Sequence, residues 1–158
     1  MKITKILILG NSITHHTPKT EIGWFSDCGM AASSLEKDYA HLLLKYLTPT
    51  NNGKEPESVI KNIAAFEREY ATYDIAETLE AFKNFHPDTV LLCIGENIPA
   101  PQNSKDEDSL LISLKNLVHL LRKNGDPAIF VRSCFWADPK KDSLRSEEHT
   151  SELQSPNT

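Results

Sequence analysis

Three positions combine residue type and context in a way that suits acyl-transfer chemistry. In I-L-I-L-G-N-S-I-T, Ser12 stands two residues beyond the glycine that closes an aliphatic run. A serine hydroxyl at the end of a strand is a candidate nucleophile, although Ser and Asn there also serve as ordinary turn and cap residues. Gly29, in D-C-G-M-A-A-S, leaves its backbone N–H unobstructed by a side chain, and Asn97, in C-I-G-E-N-I, offers a side-chain amide just past another strand. The Ser12 and Gly29 N–H groups and the Asn97 amide would give three donors for the oxyanion of a tetrahedral intermediate. Ser12 does not lie in a G-x-S-x-G elbow, because Thr14 occupies the place of the last glycine, which argues against an α/β-hydrolase.

A serine becomes a useful nucleophile only beside a base. His15 and His16 are near Ser12 in sequence, but either imidazole would have to fold back to reach it, so both read as loop residues at the rim of a cleft. His41 and His119 fall within helical patterns as surface or interface residues, and His86 precedes the helix-ending Pro87. No HExxH or paired-histidine spacing is present, so the sequence calls for no metal and no cofactor. Cys28, Cys93 and Cys134 show no CxxC spacing and read as reduced thiols in or near the core. Trp24, Phe135 and Trp136 bracket the expected cleft, where pocket lining and core packing are equally compatible with their size.

The elements that must position these residues follow from periodicity. Ile3 to Leu9 and Thr89 to Ile94 are continuously apolar runs ending in glycine, as in parallel strands buried on both faces. Val59, Ile60 and Ile63 suggest a short further strand, and Ala128 to Val131 a last one. Leu35 to Leu47, Tyr73 to Phe85 and Asp108 to Lys123 carry apolar residues at helical spacing and predict three helices. The order β-α-β-α-β-α-β implies an open parallel sheet with right-handed crossovers and helices on both faces. Ligands of such sheets bind beyond the carboxyl ends of the strands, where Ser12 and Asn97 stand.

Gly-Asn-Ser after the first strand, a glycine before the first helix and Gly-x-Asn after the third strand, in that order, resemble the blocks of the SGNH hydrolases, the GDSL-type esterases and lipases. The resemblance spans Ile3 to Trp136. It implies a three-layer flavodoxin-like α/β fold, a serine nucleophile at Ser12, oxyanion donors at Ser12, Gly29 and Asn97, no cofactor, and a small-molecule or carbohydrate acyl ester as substrate. Two departures stand out: Asn11 occupies the aspartate position of the family name, and the Asp-x-x-His block expected near the C-terminus is missing there. A non-catalytic flavodoxin-like module that binds a small ligand is the alternative.

From Arg145 the chain reads R-S-E-E-H-T-S-E-L-Q-S-P-N-T, polar and aperiodic, and Arg145 to Ser155 back-translates into what looks like a sequencing adapter. The expectation is therefore a hydrolase-like domain over 1–139, lacking its C-terminal part, and a non-native, disordered tail over 140–158. Little esterase activity is expected of such a chain. Across 158 residues, 17 basic and 22 acidic side chains leave a net charge of −5, which argues against nucleic acid as a partner. No apolar run is long enough for a membrane span, and the reduced thiols suggest a cytoplasmic setting.

Overall fold

The computed structural model describes residues 2–134. Phe135, Trp136 and the expected tail lie outside the described residues. Four strands, β1 (Lys5–Gly10), β2 (Glu57–Asn62), β3 (Thr89–Cys93) and β4 (Ala128–Val131), form one all-parallel sheet in the order β2-β1-β3-β4. Helices α1 (Tyr39–Leu47), α2 (Ala64–Glu69), α3 (Ile75–Glu80) and α4 (Ser104–Arg122) cover its faces. This is an α/β fold consistent with the flavodoxin-like three-layer arrangement.

Strand alternation divides the core. Ile6 and Ile8 of β1 pack with Ala40 and Leu44 of α1 on one face. Leu7 and Leu9, with Val90 and Leu92 of β3, pack on the other face with Phe66 of α2, Ile75 of α3, and Leu110, Leu114, Leu117, Val118 and Leu121 of α4. Both central strands are thus apolar on both sides, as their continuous patterns require.

The helices differ from expectation in instructive ways. Leu35–Lys37 forms a separate 3-10 turn, because Asp38 adopts an extended conformation (φ −73°, ψ 154°) and caps α1 by accepting the His41 N–H at 2.8 Å. Between β2 and the expected second helix stands α2, a six-residue helix too short to register in the periodicity of the sequence. The expected helix over Tyr73 to Phe85 is regular only over Ile75–Glu80, where Asp74 caps it. Asn103 starts α4 earlier than its apolar pattern suggests, its side-chain Oδ1 accepting from the N–H groups of Lys105 (3.0 Å) and Asp106 (3.1 Å).

Candidate active site

The chain reverses winding direction between β1 and β3, neighbours in the sheet whose carboxyl ends form the topological switch point. Gly10 ends β1 there. A Cβ at Gly10 would lie 1.8 Å from Thr14 Oγ1 and 2.9 Å from the Cys93 carbonyl oxygen, so only glycine lets the following turn fold against β3. The turn is built by Asn11: its side-chain oxygen accepts the Ile13 N–H at 3.0 Å, and its carbonyl accepts the N–H groups of Thr14 (3.0 Å) and His15 (3.1 Å). Ser12 is half-buried at the crest of this turn. Among the described residues, none hydrogen-bonds its hydroxyl.

The segment around Gly29 lies against this turn, with the Met30 N–H donating to the Ser12 carbonyl at 2.9 Å and the His16 N–H to the Cys28 carbonyl at 3.0 Å. A Cβ at Gly29 would stand 2.2 Å from the Ile13 carbonyl oxygen, which makes close approach the reason for glycine. Its N–H, expected to be open, instead donates to Asp38 Oδ2 at 3.3 Å. The buried Asp38 carboxylate, needed to cap α1, reaches this loop as well.

Asn97, four residues past the end of β3, is half-buried. Its Nδ2 donates to Glu67 Oε2 at 2.7 Å, and a long contact of 3.5 Å joins its backbone N–H to Glu67 Oε1. Glu67, on α2, is fully buried, and it also accepts from the Gly95 N–H and from Asn11 Nδ2 (3.3 Å). Asn11 Nδ2 donates a second bond, at 2.7 Å, to Glu96 Oε2, and Glu96 Oε1 is paired with Arg132 at 2.7 Å. Burial works against the Arg132 charge, but the Glu96 carboxylate outweighs it and holds the guanidinium pKa above its ordinary value. A polar chain therefore runs Asn97–Glu67–Asn11–Glu96–Arg132 across the ends of β3, β1 and β4. Sequence reading missed Glu67, which stands in A-A-F-E-R-E like any helix-surface charge. The signal available was its position directly after Phe66, in a helix short enough for both to face inward.

The other candidates separate by their contacts. His15 Nε2 lies 3.0 Å from Asp27 Oδ1, and His41 Nδ1 lies 2.7 Å from Asp38 Oδ1. The spacing Asp38-Tyr39-Ala40-His41 is an Asp-x-x-His, standing at the start of α1 rather than near the C-terminus. His41 is therefore held by a buried carboxylate, not a bare surface residue. Both imidazoles line an open cleft of about 660 Å³ beside β2, shared with Ser26, Asp27 and Ser58. A smaller hollow of about 350 Å³, lined by Ile13, Ala31, Ala32, Leu42 and Arg132, lies on the Ile13 side of the turn. Cys28 and Cys93 are buried free thiols, and burial pushes both pKa values up, which leaves them protonated and poorly nucleophilic. Cys134 is only half-buried. Trp24 is half-buried and donates from Nε1 to the His16 carbonyl at 3.2 Å, closing its own loop.

Among the described residues, no group of three or more His, Cys, Asp or Glu side chains could hold a metal ion, and no helix is long and apolar enough to cross a membrane. No protein-family model, curated protein or solved structure matches the chain.

Proposed function

We propose that the protein is a serine ester hydrolase of the SGNH type. Ser12 Oγ attacks the acyl carbonyl as its proton passes to solvent or an added base, and the Ser12 N–H and the Asn97 amide stabilise the resulting oxyanion; its collapse breaks the bond to the alcohol, which leaves protonated, and water then releases the acid from the acyl-serine. The observation that carries this reading is the bracing of the Ser12 turn to Asn97 through Asn11 and Glu67 at the switch point. One Asn97 N–H is committed to Glu67; an amide has two, and among the described residues the other bonds nothing, which leaves it for substrate. Gly29 joins the donors once its weak bond to Asp38 is exchanged for one to the oxyanion. The hollow beside Ile13 supports acyl groups of a few carbons.

Ser12 has no base among the partners described, so the expected rate is slow, and added imidazole should raise it by serving as an external base. Cleavage of p-nitrophenyl acetate measures this directly. Ser12→Ala should reduce the protein-dependent rate to that of the imidazole blank, and Asn97→Ala should lower kcat by about 10² to 10³. An undiminished rate in Ser12→Ala would remove Ser12 as the nucleophile. The Ser12 hydroxyl, unpartnered among the described residues, also favours a second reading, a small-ligand binding module, which predicts binding at this turn without Ser12-dependent turnover.

A further inference from the structure

Asparagine donates from one side of its side-chain amide and accepts from the other, and the two sides have nearly the same shape. As an oxyanion donor, Asn97 must therefore be told which way to face. Its own backbone does not supply that instruction; the atom its Nδ2 meets, Glu67 Oε2 at 2.7 Å, does. A carboxylate only accepts, so it excludes the rotamer that turns Oδ1 towards it.

Glu67 suits this task for three further reasons. It is fully buried, so bulk solvent does not reach its oxygens. Every hydrogen bond it accepts from the described residues comes from a neutral amide: Asn11 Nδ2, the Gly95 N–H, and the N–H and Nδ2 of Asn97. These donors spread its charge without a cation. The same carboxylate holds both blocks of the site, Asn11 beside Ser12 and Gly95 to Asn97 after β3, so it sets their spacing as well as the amide's direction.

We infer that Glu67 is a positioning residue that locks the Asn97 amide with an N–H towards the oxyanion, an inference that rests on the ester-hydrolase reading. Glu67→Gln in the full chain is the informative change. The glutamine oxygen still accepts the Gly95 N–H, but its NH₂ group now meets the Asn97 NH₂. Two donors cannot bond, so Asn97 turns over and presents Oδ1 to the substrate.

With imidazole as added base and Ser12→Ala as blank, Glu67→Gln should lower kcat about as much as Asn97→Ala does, by about 10² to 10³, with KM little changed. The double variant should fall no further than Asn97→Ala alone, because both changes remove one interaction. A buried carboxylate with a merely structural role would instead give losses that add. Full activity in Glu67→Gln, or additive losses, overturns the inference while leaving Ser12 as the nucleophile. If Ser12→Ala and Asn97→Ala change nothing, the esterase reading fails, and the orientation is then decided by NMR on the unsubstituted protein, which needs no variant to fold. One Asn97 side-chain amide proton shifted downfield by a carboxylate partner supports the lock. Two equivalent, solvent-like protons overturn it.

Discussion

Tyr39 ties the first residue of α1 to the Ser12 turn, its hydroxyl lying 2.6 Å from Thr14 Oγ1. Burial pushes this phenol well above the usual tyrosine range, with nearby Cys93 adding to the shift. The folded pKa is raised, so the contribution to stability is complete below the unfolded value near about 10 and is lost as pH rises beyond it, where only the unfolded chain releases the proton. Urea unfolding between about pH 9 and 11 should show stability falling with pH, and Tyr39→Phe should make that slope shallower, the buried Cys28 and Cys93 thiols keeping the rest of it, while costing about 1 kcal/mol at neutral pH for the lost hydrogen bond. At this scale the sequence was only partly legible. Ser12 and Asn97 could be chosen by type and place, because turns after parallel strands collect such residues, and Gly29 by its place before the first helix. Their partners could not be chosen. Glu67 and Asp38 look like surface charges until the fold buries them, and the Gly29 N–H is committed by a carboxylate nine residues further on.

Among the elements, α2 matters most to the site and has the least intrinsic support. Six residues cannot sustain a helix in water, so Ala64–Glu69 persists only through packing. Phe66, 1% exposed, is its anchor, meeting Tyr73 edge-on at 6.3 Å between ring centroids. Phe66→Ala should destabilise the protein by about 3 to 5 kcal/mol in urea unfolding, whereas Ile112→Ala, at a residue 66% exposed on α4, should stay within about 0.5 kcal/mol. A cost for Phe66→Ala as small as that for Ile112→Ala would show that α2 is not held by this contact. The same reasoning explains which elements were readable. β1, β3 and α4 announce themselves because their apolar patterns run for a full strand or several turns. α2 offers less than two turns of pattern and lies directly after a strand, so periodicity has nothing to count. The start of α1 was misplaced for a different reason: Leu35 belongs to the helical pattern, but Asp38 needs an extended backbone to cap, and the cap prevails.

For the whole molecule, the sheet order β2-β1-β3-β4 makes the two apolar strands central, so the fold class was legible from two short runs of sequence. What the pattern of hydrophobic residues cannot convey is the polar chain from Asn97 to Arg132, since its members come from four separate stretches of the chain and meet only after the sheet has formed. That chain has a kinetic consequence. The Gly95 N–H is buried on Glu67, itself fully buried directly after Phe66 of the larger core, and no local fraying of a loop end would uncover it. Its exchange with deuterium should therefore require unfolding of the whole domain, at a rate matching the amides of Leu7 and Val90 in the central strands. In most proteins, the parts that act are among the first to open. Here the candidate site would belong to the last unit to open, and its geometry could be lost only together with the fold.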